Sequence, residues 1–383
     1  MPKQTGINGF ERTSEGASQS DPRHLIEVLN GVFEKMDLNK DKVLNQDEID
    51  RAVMDAGISP EDAEGVSVLK ACFQDVKNLH KEGWFARKNG ITLADLLVFE
   101  QIILTEERDA GTTAHEQLLQ LVRTVLQNTN KTWHLPRTLY AGSGKAQDSI
   151  RVEAIRQGIV GDCFFLAALA SVAVACPEVI PRMIKDMGDG SFTVTFPGDR
   201  DLPITVEAPT TVELALYAKS SQYGIWPAVL EKAYGVYLMN VQQKQTMIPA
   251  DATHAAAHTY EAFDLLTGQT GHWEFLPTLE DEKLINILNG AFRERRAVAA
   301  GSCQSKSGVC PDGFAASHAF SIIGWNHARE EITMRNPWGR LTPEAESRVN
   351  TRDGIFAISI PTFRRNFLAI YYEDWTPDSR FDG

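Results

Sequence analysis

The sequence contains no uninterrupted run of about 18 apolar residues, the length that a membrane-spanning helix needs. Its most hydrophobic stretch, from Phe164 to Ala175, is shorter and is typical of a buried helix. Residues 1–23 are polar, rich in Ser, Gly, Thr and Gln, and they lack the apolar core of a secretory signal. We therefore expect a cytoplasmic protein without stable membrane insertion.

Cysteine and positive charge are also scarce. Five cysteines are too few, and odd in number, for a disulfide scaffold. For Cys303 and Cys310, two free thiols are the simpler expectation, and a disulfide clip on a nearby loop is the alternative. The formal net charge of −13 argues against nucleic-acid binding. With 383 residues, 43% of them hydrophobic, the chain is long enough for two or three globular domains of roughly 100–200 residues each.

Hydrophobic periodicity divides the chain into a helical first part and a mixed second part. Residues 1–23 show no period and predict a disordered tail, whereas residues 24–130 predict paired helix–loop–helix units. A basic connector follows at about residue 131 and marks a domain boundary. Helical patterns dominate residues 131–268, and short strand-like runs dominate residues 269–383. The expected fold class is α+β, a helical domain followed by two lobes with a cleft between them.

A loop rich in side-chain oxygens separates the first two predicted helices. Residues 37–48 place such side chains at loop positions 1, 3, 5, 9 and 12 and a backbone carbonyl at position 7, the ligand pattern of an EF-hand calcium loop. Lys42 departs from this pattern, because the sharp turn there normally requires Gly. A polar loop that binds no ion is the alternative. The predicted Ca²⁺ ligands are Asp37, Asn39, Asp41, Val43, Asn45 and Glu48.

A second loop, residues 84–95, has few oxygen ligands at its start. We expect it to brace the first loop rather than to bind calcium. Residues 24–130 are therefore expected to form an EF-hand-like domain, with Ca²⁺ as the cofactor and no organic cofactor.

Cys163 stands at the predicted start of an apolar helix. A helix N-terminus stabilises an anion, so this position favours the thiolate, which is the nucleophilic form of cysteine. His318 heads a predicted strand, and Asn336 follows at a spacing that suits a returning β-hairpin. The combination predicts a Cys–His–Asn triad in which Asn336 orients the imidazole. Gln157 and the Cys163 N–H would stabilise the oxyanion, and Trp338 would shield the His318–Asn336 hydrogen bond from water.

Taken together, these motifs resemble the calpain family of papain-like cysteine proteases. The resemblance implies a two-lobed peptidase core, with Cys163 on the first lobe and His318 and Asn336 on the second. It also implies limited cleavage of protein substrates within exposed, unstructured segments. The matched segments occur in the family's order and are Gln157–Leu169, Trp226–Tyr234, Phe263–Gly268, His318–Ser321, Asn336–Gly339 and Asp353–Phe356.

The sequence departs from the family pattern at four places. Phe164 follows the nucleophile, where the family usually has Trp. Ala154 and Thr342 stand where the family's core calcium sites have acidic residues, and Glu231 alone remains from those ligand sets. An EF-hand placed before the protease is also unusual for the family. We therefore expect any effect of calcium to arise from binding at the N-terminal loop, residues 37–48.

Two other functions remain open from the sequence. A transglutaminase shares the Cys–His order but generally carries Asp where this chain has Asn336. A calcium-sensing interaction protein with an idle protease core is the other alternative. Such a protein has no need of an intact Cys163, His318, Asn336 and Gln157, and the endopeptidase is therefore the favoured interpretation.

Overall fold

The computed structural model describes residues 22–77, 79–80, 89–105, 113–141, 145–219, 221–254 and 257–373. The expected disordered tail lies outside these ranges except for Pro22 and Arg23, which begin the first helix. Within the ranges, no helix is long and apolar enough to cross a lipid bilayer.

The N-terminal region, as far as the structure describes it, consists of six helices and a two-stranded antiparallel sheet. Leu44 of the first strand lies opposite Ile91 of the second, so the sheet joins loop 37–48 to the segment that carries the second predicted loop. Residues 84–88 of that second loop lie outside the described ranges. The elements are α1 (Pro22–Met36), β1 (Val43–Asn45), α2 (Gln46–Val53), α3 (Pro60–Ala71), α4 (Phe73–Val76), β2 (Gly90–Thr92), α5 (Leu93–Thr105) and α6 (Thr113–Thr132).

Lobe one contains the helix that starts at Cys163. All residues of this helix except Cys163 and Val174 are buried, as expected for a helix that is apolar on all faces. A small antiparallel sheet, β3–β4–β5, lies at the edge of the lobe. The elements are α7 (Ala146–Ser149), α8 (Cys163–Ala175), α9 (Val179–Met183), β3 (Ile184–Asp186), β4 (Ser191–Val194), β5 (Ile204–Glu207), α10 (Thr211–Leu216), α11 (Trp226–Gln242) and α12 (Thr259–Thr267).

Lobe two is built on a six-stranded antiparallel sheet with the order β10–β9–β8–β7–β11–β6. β8 and β9 form a hairpin, and β11 pairs with β7 on one side and with β6 on the other. The elements are β6 (Gly271–Phe275), α13 (Asp281–Glu294), β7 (Val298–Ser302), β8 (Ala319–Asn326), β9 (Glu331–Arg335), α14 (Pro343–Glu346), β10 (Ile355–Ser359), α15 (Ile360–Asn366) and β11 (Phe367–Glu373).

Cys303 and Cys310 form a disulfide, with their Cα atoms 5.7 Å apart. The simpler expectation of two free thiols is therefore wrong, and the alternative holds. The reason lies in the backbone, because the segment between β7 and β8 folds back on itself. The Cys310 N–H donates to the Phe314 carbonyl at 2.7 Å, and the Ser317 N–H donates to the Cys303 carbonyl at 2.7 Å. The chain after Cys310 therefore turns back to Cys303, which brings the two cysteines together.

The N-terminal region and lobe one share a hydrophobic core. Side chains of α1, α3, α5 and α6 pack in one cluster with Val212 and Leu216 of α10 and with Ile248. Polar contacts cross the same boundary, since Thr210 Oγ donates to the Val53 carbonyl at 2.6 Å. The boundary expected at residue 131 therefore marks a change in composition but not a break in packing.

Candidate active site

Cys163 is the first residue of α8, where backbone N–H groups have no partner within the helix. Its thiol is partly exposed and accepts a hydrogen bond from the backbone of Ala319, the first residue of β8. Burial raises the pKa of this thiol to about 11, although that backbone hydrogen bond acts in the opposite direction. Desolvation of the thiol thus opposes the stabilisation of the thiolate that the sequence predicts for this helix start.

His318 and Asn336 flank the β8–β9 hairpin, one just before it and one just after it. His318 Nε2 and Asn336 Oδ1 are 2.9 Å apart, and the Trp338 N–H donates to the same oxygen at 2.9 Å. Because a backbone N–H only donates, the atom that it meets is the amide oxygen, and Nε2 must then carry the imidazole proton. Nδ1 is left as an acceptor for the thiol proton. Burial lowers the pKa of His318 to about 4, against the opposing effect of the Asn336 hydrogen bond.

Trp338 lies over the imidazole of His318. The two ring centroids are 4.4 Å apart, and Phe320 meets the same imidazole edge-to-face at 5.0 Å. His318 is buried, whereas 37% of Trp338 remains exposed. The indole thus covers one face of the imidazole.

Gln157 lies in the loop that precedes Cys163 and touches both lobes. Its backbone N–H donates to the Pro337 carbonyl at 2.9 Å, and its side-chain Nε2 donates to the Val160 carbonyl at 2.7 Å. One N–H of the amide is committed in this way, and the Gln157 side chain also interacts with the Asp162 carboxyl group. In the same loop, the Gly161 N–H donates to His254 Nδ1 at 3.2 Å. Nothing in the sequence pointed to His254, because its contact is made across a large chain separation.

Two buried carboxyl groups lie beneath this loop. Asp162, directly before Cys163, and Glu231 of α11 are both fully buried, and the Ala218 N–H donates to Glu231 Oε2 at 2.8 Å. Burial raises the pKa of both groups, and the neighbouring charge of Asp162 raises that of Glu231 further. Because two adjacent buried carboxyls resist simultaneous ionisation, the charge on either one opposes the ionisation of the other.

Two serines hold α8 against the sheet of lobe two. Ser321 Oγ of β8 donates to the Ala167 carbonyl of α8 at 2.9 Å, and Ser171 Oγ of α8 donates to the Val298 carbonyl of β7 at 2.6 Å. Both serines are buried. The nucleophile-bearing helix and the histidine-bearing strand are therefore joined directly, which brings the Cys163 and His318 elements to one place.

The N-terminal oxygen-rich loop folds around its own backbone. The Asp37 carboxylate accepts hydrogen bonds from the Asp41 and Lys42 N–H groups, and the Glu48 carboxylate accepts one from the Asn45 N–H at 3.1 Å. Lys42 has a φ of 64°, the left-handed conformation that Gly usually supplies at this turn. Among the described residues, no three His, Cys, Asp or Glu side chains converge as a metal-binding group.

Ala154 and Thr342, which stand where the resemblance places core calcium ligands, make other contacts in this structure. Ala154 is fully buried, and Thr342 caps α14 by accepting a hydrogen bond from the Ala345 N–H at 3.3 Å. Thr342 also donates to the Gly313 carbonyl. Neither residue supplies a carboxylate, as the sequence indicates.

The family model described as calpain family cysteine protease matches residues 109–352. This range is more than half of the chain and includes Cys163, His318 and Asn336. The chain belongs to the calpain family of cysteine proteases. As a member of that family it carries the core of a peptidase, a class of hydrolases.

Curated relatives in this family are distant in sequence. A thiol protease of Porphyromonas gingivalis is 22% identical over 315 residues, which cover 70% of this chain and 64% of the relative. The calpain-1 catalytic subunit of Bos taurus is 26% identical over 294 residues, covering 66% of this chain and 39% of that protein. Calpain-9 of Homo sapiens is 26% identical over 269 residues, which cover 59% of this chain and 36% of that protein. The chain thus spans less than two thirds of the length of each of these relatives.

Proposed function

We propose that this calpain-family chain is a cysteine endopeptidase, with Cys163 as nucleophile, His318 as general base and acid, and Asn336 as the residue that orients the imidazole. The observation that carries the proposal is the His318–Asn336 hydrogen bond. It places the proton on Nε2 and leaves Nδ1 free, while the Cys163 thiol bonds to the backbone of the residue next to His318. A thiol and an unprotonated ring nitrogen are thereby brought to the same end of β8.

The reaction follows from these positions. The thiol proton moves to His318 Nδ1, and the thiolate attacks the carbonyl carbon of the scissile peptide bond. The oxyanion receives hydrogen bonds from the Cys163 N–H and from the Gln157 amide. Collapse of the tetrahedral intermediate breaks the C–N bond, and the leaving amine takes the proton from His318. His318 then deprotonates a water molecule that hydrolyses the thioester, which releases the carboxylic acid and restores the thiol.

The proposed substrates are unstructured protein segments. Cys163 is only partly exposed, and the carbonyl carbon of a substrate must come within bonding distance of its sulfur. A folded surface does not reach a recessed thiol, whereas an extended chain does. Limited cleavage at exposed, flexible segments is the expected outcome.

Digestion of an unfolded protein substrate tests the proposal. We expect Cys163→Ala to lower the rate of cleavage by on the order of 10⁴ or more, because the members of a triad act as a unit. Cys176→Ser is the matched control, since Cys176 is a buried thiol at the far end of α8. Mass spectrometry of the products separates the alternatives. New N-termini indicate a protease, crosslinks with release of ammonia indicate a transglutaminase, and unmodified substrate with wild-type protein overturns the enzymatic proposal.

We also propose that loop 37–48 binds Ca²⁺. Its donors are hard oxygen atoms, which suit this ion, and its backbone turns at Lys42 as an EF-hand loop requires. The β1–β2 pairing of Val43 with Thr92 supports the same interpretation, because it couples the loop to a second helix–loop segment. The Asn45 side chain caps α2 by accepting from the Glu48 N–H, so the loop is already shaped around its last proposed ligand. Any control of the protease by this ion is a further part of the proposal.

Calorimetric titration with Ca²⁺ tests the site separately from activity. We expect Glu48→Gln to weaken binding at least about tenfold, since it removes the bidentate carboxylate. Asp47→Asn is the control, because Asp47 is exposed and is not a predicted ligand. Absence of calcium binding by the wild-type chain contradicts the site. Full cleavage of substrate in the presence of a chelator contradicts control by calcium while leaving the protease assignment intact.

A further inference from the structure

A cavity of about 970 Å³ adjoins the candidate active site and is unusually basic for this chain. It lies between α6 of the N-terminal region and loops of both protease lobes. Two acidic side chains, Glu153 and Asp353, also line it. Against a net charge of −13 for the whole chain, this is a local concentration of positive charge. The basic side chains that line the cavity are Lys131, Arg156, Lys219, Arg340 and Arg352.

Most of this positive charge is not neutralised within the protein. Arg156 pairs with Asp353 at 2.9 Å, and Arg352 lies 3.8 Å from the same carboxylate. Across the described residues, the side chains of Lys131, Lys219 and Arg340 make no ion pair. Burial, together with the neighbouring charges of Arg340, Arg156 and Lys131, lowers the pKa of Lys219 to about 8. A bound anion would relieve this repulsion.

The cavity begins beside the catalytic histidine. Trp338 packs against His318 with ring centroids 4.4 Å apart, and the same indole lines the cavity. In the proposed reaction His318 gives its proton to the leaving amine, so the substrate segment that follows the scissile bond departs on the His318 side. A segment on that side lies next to Trp338, whose indole contacts His318 and also lines the basic cavity.

We propose that this cavity is a specificity site that binds carboxylate side chains in the substrate segment C-terminal to the scissile bond. The inference rests on the proposed endopeptidase function and names its preferred substrates as acidic on that side. Lys219 and Arg340 are the two cations best placed to act, because they come from different lobes and neither has an internal ion pair.

The test uses peptides that differ only in charge. Digestion of an unfolded protein by the full chain, followed by mass spectrometry, identifies one efficiently cleaved site. Quenched fluorescent peptides of that site then carry Glu, Gln or Lys at the second and third positions after the scissile bond. We expect kcat/KM for the Glu peptide to exceed that for the Gln peptide roughly tenfold, the scale of a charged hydrogen bond in a partly buried site. The Lys peptide is expected to be the poorest.

Lys219→Gln and Arg340→Gln should each bring the Glu-to-Gln ratio of kcat/KM towards one. The matched controls are Lys185→Gln in β3 and Arg329→Gln, which remove exposed cations away from the cavity and should leave the ratio unchanged. Added salt should reduce the preference of the wild-type enzyme for the Glu peptide over the Gln peptide. This measurement does not depend on the folding of any variant. Circular dichroism confirms that each variant is folded.

Two failures are distinguishable. Wild-type protein that cleaves no peptide at all contradicts the proposed function. Wild-type protein that cleaves the Glu and Gln peptides equally well, or a ratio that Lys219→Gln and Arg340→Gln leave intact, overturns the basic cavity as a specificity site while the protease assignment stands.

Discussion

The environment of Cys163 favours the protonated form of its thiol. The start of α8 and the backbone hydrogen bond from Ala319 favour the thiolate, but burial dominates and raises the thiol pKa to about 11. Burial also lowers the pKa of His318 to about 4. Both groups are therefore neutral near pH 7 in this conformation. Proton transfer between them then belongs to the reaction itself, when substrate is in place.

Alkylation of Cys163 by iodoacetamide should reveal this neutral state. Only the thiolate reacts, and a raised pKa means that little thiolate exists at pH 7. The rate should rise roughly tenfold per pH unit from pH 7 to pH 10, as the thiolate fraction does below its pKa. Peptide mapping by mass spectrometry follows each cysteine separately. Cys72 is the internal control, since burial raises its pKa to about 12 and it should react more slowly.

A different profile would show a different resting state. If the rate at Cys163 is already high at pH 6 and stays flat to pH 9, the free enzyme holds a thiolate–imidazolium pair. The conformation with a buried, neutral pair would then not be the dominant one in solution.

Between elements, the contact of α8 with the sheet of lobe two sets the relative position of Cys163 and His318. Ser171 and Ser321 cross this contact in opposite directions, and both make hydrogen bonds to backbone carbonyls in a buried environment. We expect Ser321→Ala and Ser171→Ala each to lower the free energy of unfolding by about 1 kcal/mol, the net value of one such hydrogen bond. Urea denaturation measures the change. Cleavage of substrate should also slow, since the Cys163 and His318 elements lose a direct link.

The double variant and a surface control sharpen this test. Ser171 and Ser321 both lie within hydrogen-bonding distance of the Ala167 carbonyl, so their effects on stability should not be additive. Ser347→Ala removes an exposed hydroxyl that bonds only to the Glu344 carbonyl, and it should change stability by less than about 0.5 kcal/mol. Additive losses, or losses no larger than that of the control, would show that the two serines do not act as a linked contact.

The sequence predicts the elements around the site better than their assembly. The apolar run after Cys163 becomes the buried helix α8, and the spacing of His318 and Asn336 is that of the β8–β9 hairpin, because both depend on local patterns. The place of β11 between β7 and β6 depends on pairings across a long stretch of chain. The raised pKa of Cys163 and the basic cavity likewise depend on residues that only the fold brings together.

For the whole molecule, the question is whether the N-terminal region and lobe one behave as one unit. Leu216 of α10 lies in the same core as residues of α1, α3, α5 and α6, and α10 contacts α3 and α6 directly. The Leu216 carbonyl accepts a hydrogen bond from the Ile159 N–H of the loop before Cys163. Lys70 of α3 adds a bridge, since its ammonium group lies 2.7 Å from both Asp50 of α2 and Asp251 of lobe one. A signal at loop 37–48 would have a continuous path of packed residues to the site.

Lys70→Met tests the strength of this bridge. The substitution leaves the Asp50 and Asp251 carboxylates facing each other without their cation, and Asp50 and Lys70 are largely buried. We expect a loss of about 3 kcal/mol in the free energy of unfolding, the cost of breaking a buried ion pair by removing one partner. Lys35→Met is the matched control, because its 2.7 Å pair with Asp62 is exposed and should contribute less than about 1 kcal/mol. Urea denaturation, followed both by circular dichroism and by peptide cleavage, should show one transition in the wild-type chain. Equal losses in the two variants, or separate transitions for structure and activity in the wild type, would mean that the helical region and the protease core fold independently and that the bridge does not couple them.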